Sequence, residues 1–541
     1  MCHQRDRKPP KQGVSSAVPE QTDSFVTSYL RGELADWFCC PTPPTLLNGE
    51  SLTARPRSAL AAALAAEATR LGAHPDVVAR SRQLAHPSSR AVVTGQQAGL
   101  LLGPLFTVSK AATVISIADE AGTDDAPVVP VFWLASQDHD AAEVDHAWLL
   151  DMNEELHRVA VDLPAGVAVG SIPFRREWLD VLTDALAEAS YPAAFRDEVT
   201  GILERAAQVA ESWADFFTAT FYAVFGASAP VVLDPSRASL APLFEGVLAR
   251  EIEDPLATSD AINEAGARLK AAGHPPQLGR AAGATNLFLA EDLDGSGLPG
   301  RNLLRYDGKV FTTAGGTRTR GELLEILRNE PGRITPAAGL RPVTQDAVLP
   351  TAALVVGPGE LRYLAQLRGV YEHHGVAQPT IWPRTSVTVI EPPVRRILDR
   401  YGLSATAFRD DPEGRLRQVI MGRSAAGEAF ERSLLVLERE RASLLEAVSS
   451  IDPTLAGTVL KHADRIGSSI SLLRTKTGSA LARNDTQTSG QFRRLANQLL
   501  PASTDQERQL SPFSFFAKFG TGPVMRLFDG LATSGHVELD V

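Results

Sequence analysis

Apolar residues recur at helical spacing through residues 21–90, most densely in "RSALAAALAAEATRLGA" (57–73), and Gly72, with His74 and Pro75 beyond it, supplies a helix stop. The pattern then shortens. "AVVTGQQAGLLLGPLFTVSKAATVISIADEAG" (91–122) opens with a β-branched run, passes through a glycine-punctuated turn and predicts a helix from about Pro104 to Glu120, with proline suited to its first turn. "APVVPVFWLAS" (126–136) is a second buried strand, and a strand-helix-strand crossover of this kind builds a parallel sheet. "APVVLDPS" (229–236) and "TAALVVGPGE" (351–360) predict two further strands, the second followed by a helix in "GELRYLAQLRGVYEHHG".

Two stretches interrupt this α/β pattern. Residues 280–345 are richer in Gly, Thr and Arg, and "TNLFLAEDLDGSGLPGRNLLRYDGKVFTTAGG" (285–316) reads as short strands around a "DGSG" loop and a "DG" turn, an inserted β-rich module. Beyond "WPRTSVTVIEPP" helical periodicity dominates. In "ERSLLVLERERASLLEAVSSI" (431–451), Leu434, Leu437, Leu444, Val448 and Ile451 fall on one stripe, which predicts a coiled-coil hairpin with Pro453 near its tip. The first twenty residues are polar, contain prolines and lack the apolar core of a signal peptide, so they read as a disordered tail and the compartment as the cytoplasm.

Length and charge narrow the function classes. A chain of 541 residues suggests about three units at roughly 100–200 residues each. Its net charge of −11 argues against general nucleic-acid binding, which calls for a basic surface. No stretch approaches the roughly 18 uncharged apolar residues of a membrane span. The three cysteines, Cys2, Cys39 and Cys40, exclude a disulfide framework.

In open parallel sheets, ligands bind beyond the carboxyl ends of the strands, and both "TGQQAG" (94–99) and "SQDHD" (136–140) belong there. Gly95, Gly99 and Gly103 permit close backbone approach, and the helix start that follows offers N–H groups to an anion. The spacing matches neither the dinucleotide fingerprint nor the phosphate loop, and a purely structural turn is the alternative. Lys110 stands either within reach of a phosphate or on a solvated helix face. A helix continuing from Ser136 would place His139, Glu143 and His146 in one sector of roughly 60°, where a zinc site is conceivable although the spacing is not H-E-x-x-H. Asp138 and Asp140 flank His139, suited to acid, base or hydroxyl-binding work, or to a charge-paired helix start. His373 and His374, near a helix end before Gly375, read as structural.

Four segments together, "TGQQAGLLLGPLFTVSKAATVISIA" (94–118), "VPVFWLASQDHDAAEVDH" (129–146), "VVGPGELRYLAQLRGVYEHHGVAQPTIWPRTSVTVIE" (355–391) and "QERQLSPFSFFAKFG" (506–520), resemble the bacillithiol biosynthesis cysteine-adding enzyme family. The resemblance implies an α/β fold: a Rossmann-like nucleotidyltransferase-type core with inserted connecting modules and an α-helical coiled-coil domain. On this chain it maps as a tail at 1–20, a helical N-terminal segment at 21–90, a core with a helical insertion at 91–279 and a β-rich connecting module at 280–345. The core continues at 346–395, a coiled-coil domain follows at 396–505, and 506–541 packs back on the core.

The activity implied is a carbon–nitrogen ligase that joins L-cysteine to the amine of glucosaminyl-malate in the last step of bacillithiol formation, as a homodimer. On that reading His139 is the general base, with Asp138 and Asp140 as its catalytic companions. Thr94, Gln96, Gln97, Glu143, His146 and Arg384 bind substrate, Arg384 forking onto malate carboxylates or else forming a structural ion pair. Gly95, Gly99, Gly103, Lys110, Gly357 and Gly359 border a nucleotide or anion, and no resident metal is assigned. ATP with magnesium is the candidate energy source, although the lysine-rich loop of class I synthetases is missing where "RTSVTVI" stands. A metal-dependent hydrolase centred on His139, Glu143 and His146, and a noncatalytic nucleotide-binding coiled-coil scaffold, are the competing readings. Cys39 and Cys40 read as incidental, since the reaction's thiol belongs to the substrate.

Overall fold

The computed structural model describes residues 24–48, 55–532 and 535–541; the tail expected at 1–20 lies outside them. The sheet at its centre has five parallel strands: β1 (Arg90–Gln96), β2 (Val128–Leu134), β3 (Val231–Leu233), β4 (Thr351–Val356) and β5 (Thr380–Pro383), in the spatial order β5-β4-β1-β2-β3. Helices cover a parallel sheet on both faces, so its strands are apolar throughout rather than alternating. β2 accordingly buries all seven of its residues. The chain runs outward from β1 to β2 and β3, then returns on the other side of β1 as β4 and β5. The connections leaving β1 and β4 therefore diverge, and this topological switch point opens a crevice at their carboxyl ends.

Between β2 and β3 lie a hairpin, His146–Leu150 with Leu156–Ala160, and a helical insertion whose last helix, Trp213–Phe225, starts in a capping box made by Ser212 and Asp215. The module before β4 is the β-rich unit expected: an antiparallel sheet in which Ala284–Glu291 is flanked by Ile334–Pro336 and Gly300–Tyr306.

Beyond β5 the chain leaves the sheet as strand Thr385–Ile390, which pairs in parallel with Gly535–Asp540. Between these partners stands the helical arm. Helices Ala425–Ile451 and Ala456–Asn484, joined at Pro453–Leu455, run antiparallel, with ion pairs Glu431–Arg474 and Arg441–Asp464 setting their register. At 1.5 Å per residue the arm is roughly 40 Å long. Two helices bury little against each other. Leu434, Leu437 and Val448 of the expected stripe are half-buried, whereas Leu444 and Ile451 are exposed, as are Leu435, Leu472 and Leu473; Leu435 is 70 % and Ile451 84 % accessible. No helix among the described residues is long and apolar enough to cross a membrane.

Candidate functional site

The glycine loop after β1 is built for closeness. A Cβ on Gly95 would stand 3.1 Å from the Trp133 carbonyl oxygen, so a side chain there would push β1 off β2. A Cβ on Gly99 would stand 2.8 Å from Cα of Gly103, and Gly103 itself has φ +67°. Gly99 and Gly103 thus close the loop on itself, with Leu101 and Leu102 buried in left-handed conformations, and they do not line the crevice. Their anion-binding assignment gives way to the structural alternative. Thr94 is also removed from the substrate set: it is sealed in the sheet, where its hydroxyl donates to the Val355 carbonyl at 2.9 Å.

The crevice is a cavity of about 510 Å³ where Gly95, Gln96 and Gln97 meet Gly357, Gly359 and Glu360. Helix Phe106–Ala121 carries Lys110 under its floor. With its side chain 3 % exposed, Lys110 does not sit on a solvated face; its ammonium donates to the Gly95 carbonyl at 3.0 Å and to Gln96 Oε1 at 3.1 Å, and lies 2.5 Å from Glu360 Oε2. Burial pulls the Lys110 amine below its ordinary range, against the attraction of Glu360. Glu360 also accepts the Gly357 N–H at 2.8 Å, so this carboxylate locks the end of β4 to the lysine.

Arg384, at the end of β5, borders the same cavity, but its fork is engaged. Nη1 and Nη2 reach the two oxygens of Glu507 at 2.7 and 2.6 Å, and Glu507 also accepts the Val387 N–H at 2.9 Å. Burial works to raise the Glu507 carboxyl, yet Arg384 and that N–H hold it below the usual carboxylate range. Of the two readings of Arg384, the structure contains the ion pair.

The segment after β2 departs from expectation. In place of a helix from Ser136 there are turns, a short 3-10 turn at Ala141–Glu143, and then strand His146–Leu150. Tertiary hydrogen bonds explain this: the Val144 carbonyl accepts the Leu100 N–H, the Asp145 carbonyl accepts the Val161 N–H, and these draw the chain into the hairpin. His139, Glu143 and His146 consequently do not converge. His146 pairs with Asp145 at 2.8 Å, while Glu143 and Asp138 both accept from the Gln97 amide, at 2.5 and 2.8 Å. Among the described residues the only grouping with metal-ligand spacing is Asp151, Glu155 and His157, so the His139/Glu143/His146 hydrolase centre is not assembled. Asp140 is exposed and outside the cavity lining.

His139 faces the β-rich module. Its Nδ1 is 3.4 Å from Nη1 of Arg301, whose guanidinium lies 4.0 Å over the Phe288 ring and donates to Thr335 Oγ1 and the Pro336 carbonyl. Burial lowers Arg301 to about 10, still a cation at neutral pH. A guanidinium only donates, so the contact from Arg301 is made to the Nδ1 lone pair of His139, the ring atom that also lies 3.6 Å from Asp138 Oδ1. Arg301 and Arg341 gave no signal in the sequence, because each reaches this region from a distant segment with no local motif, while Tyr363 and Arg508 lie within the segments 355–391 and 506–520 but stand out by no spacing of their own. His374 is buried against Glu251 at 3.2 Å, the structural role expected of it.

A family model described as "Bacillithiol biosynthesis BshC, N-terminal Rossmann-like domain" matches residues 44–385, and another, "Bacillithiol biosynthesis BshC, C-terminal coiled-coil domain", matches residues 387–536. The chain belongs to the BshC family. A BshC from Thermus thermophilus, named "Putative cysteine ligase BshC", is 41 % identical over 429 residues, covering 79 % of this chain and 83 % of the relative. One of the same name from Salinibacter ruber is 33 % identical, covering 90 % and 88 %, and one from Prosthecochloris aestuarii is 29 % identical, covering 97 % and 95 %. The BshC boundary between the two matches falls at the end of β5, where the chain leaves the sheet for the arm.

Proposed function

We propose that this chain is a cysteine ligase that forms an amide between the carboxyl group of L-cysteine and the amine of glucosaminyl-malate. The observation that carries the reading is the switch-point cavity, which brings the carboxylates of Asp138 and Glu143 into one space with the cations of Lys110, Arg341 and Arg508. That mixture suits an ammonium together with anionic groups. Membership of the BshC family and the names of its relatives support the choice of substrates.

Amide formation requires a leaving group on the carboxyl carbon and removal of a proton from the amine. Asp138 and Glu143, both held by Gln97, are the cavity's acceptors for the ammonium, and Asp138 takes the proton. His139, with Nδ1 engaged by Arg301, orients the loop that carries Asp138 and is not assigned the base role expected of it. Gln96 and the Gly95 backbone, fixed by Lys110, present the end of β1 to the cysteine carboxyl. A phosphate-bearing activator, when bound, would supply the leaving group, with the Gly95 and Gly357 strand ends fixed by Lys110 and Glu360 as the part of the cavity that faces it. Asp138 and Glu143 are engaged by Gln97, and Glu360 by Lys110, so no carboxylate set is assigned to magnesium.

Incubation of the full chain with glucosaminyl-malate, cysteine and ATP is expected to give the cysteinyl amide with AMP or ADP, read by mass spectrometry. Product without nucleotide cleavage would overturn the phosphate-bearing donor, and no product with any donor would overturn the ligase.

The exposed leucines of the arm support a homodimer. Full burial of a leucine contributes about 1.5–3 kcal/mol, and Leu435, Leu444, Leu472 and Leu473, each more than half exposed, would gain part of that in a pairing of two arms. Leu435→Glu with Leu472→Glu is expected to halve the mass measured by light scattering; an unchanged mass would refute pairing through this face.

A further inference from the structure

Four cations border the cavity, and their counter-charges divide them into two kinds. Lys110 is matched by Glu360 and Arg384 by Glu507, both at ion-pair distance. Arg341, partly buried, and Arg508, exposed at the rim, have no carboxylate within that distance among the described residues, and both line the same cavity.

Arg341 opens helix Arg341–Val348, and its guanidinium donates to two neutral acceptors, Gln345 Oε1 at 3.0 Å and the Tyr363 hydroxyl at 3.3 Å. The nearby carboxylates are engaged elsewhere: Glu360 by Lys110 and the Gly357 N–H, Asp346 by the Tyr371 hydroxyl at 2.6 Å and the Gln345 amide at 2.9 Å. Tyr363 supplies no charge, since burial raises its phenol above the ordinary range. Glu360 attracts Arg341 through space but is bonded to Lys110, so the partly buried guanidinium shares its nearest counter-charge with a second cation. A guanidinium so placed at a cavity wall offers its charge to an anionic ligand.

We propose that Arg341, with Arg508, forms a carboxylate-recognition subsite that selects an acceptor carrying two carboxylates. Two unmatched cations correspond to the two negative charges of a malyl group. A guanidinium binds a carboxylate through two parallel N–H bonds, which fixes orientation as well as charge, and lysine does not reproduce that geometry. The assignment moves dicarboxylate recognition from Arg384, whose fork is occupied, to Arg341. It rests on the ligase reading for the identity of the whole acceptor, and on the cavity alone for the chemistry of the subsite.

The test uses the full chain and free L-malate as probe. Calorimetry is expected to show that Arg341→Gln weakens L-malate binding about 30-fold, as loss of hydrogen bonds to a charged group of roughly 2 kcal/mol implies, and that Arg508→Gln weakens it less. Arg341→Lys is expected to fall between Arg341→Gln and the unaltered chain, keeping the charge and losing the fork. In the ligase assay, KM for glucosaminyl-malate should rise by a similar factor, while kcat at saturation changes little and KM for cysteine does not move. If Arg341→Gln fails to fold, judged by its melting curve, Arg341→Lys and Arg508→Gln carry the test. Unchanged L-malate binding and KM in the folded variants would overturn the subsite, as would absence of L-malate binding to the unaltered chain. Arginine-dependent L-malate binding without any amide product would overturn the ligase and leave the subsite standing; amide product with KM unaffected by these substitutions would do the reverse.

Discussion

Arg384→Ala is expected to destabilise the chain by about 3–5 kcal/mol, the usual cost of removing one partner from a buried ion pair. The pair is almost wholly out of solvent, with the Arg384 side chain 3 % and the Glu507 side chain 7 % exposed, and both guanidinium ends are bonded to the carboxylate. Without Arg384, Glu507 keeps only the Val387 N–H and faces a low-dielectric surrounding it cannot leave. The measurement is the urea midpoint of the full chain, and an unchanged midpoint would falsify the assignment. The double variant Arg384→Met with Glu507→Leu should recover most of the loss, because replacing both partners by apolar groups removes the stranded charge. The pair also has a pH signature. Glu507 has a folded pKa below its ordinary value, so its contribution is fully present above that value and is lost as pH falls through the lower, folded one.

The second large effect belongs to Lys110. Lys110→Met is expected to lower kcat/KM for amide formation by about 100-fold or more, comparable to removal of a preorganised donor from an active site. One ammonium holds three groups, the Gly95 carbonyl, the Gln96 side chain and Glu360, so its loss frees both strand ends that frame the cavity. Adding Glu360→Gln should restore stability, since the unmatched carboxylate is gone, but not the rate, since neither strand end is again held. Recovery of rate in the double variant would show that Lys110 serves only to neutralise Glu360. Wild-type kinetics in Lys110→Met would remove the lysine from the site altogether.

What could be read from residues alone followed the range of the forces involved. β1, the helix after it and β2 were legible, because a buried parallel strand is a local apolar run and the proline and glycines mark its exits. The helical arm was legible for the same reason, through its leucine spacing, although the stripe did not reveal which leucines would find a partner. The segment after Ser136 was misread because "AAEV" favours a helix locally, while the hydrogen bonds that pull it into a hairpin come from Leu100 and Val161. Gly99 and Gly103 announced a tight turn, yet nothing local distinguishes a turn that cradles an anion from one that closes on itself. Arg384 left two readings open because its partner Glu507 lies in another segment of the chain. Arg301 and Arg341 had no signal at all: each is a single arginine among many, given meaning by Phe288 and His139 in one case and by unmatched charge in the other.

The pairing of Thr385–Ile390 with Gly535–Asp540 makes the whole helical arm a detour between two neighbours in one small sheet. Closing so long a loop costs chain entropy that grows only as the logarithm of its length, so the arm can be long without making the closure prohibitive. In a chain growing from a ribosome, however, Arg384 waits without its carboxylate until Glu507 has emerged, and the strand that leaves β5 waits for residues 535–540. The pocket that begins at the glycine loop is thus completed late in synthesis, by residues some four hundred positions further along the chain.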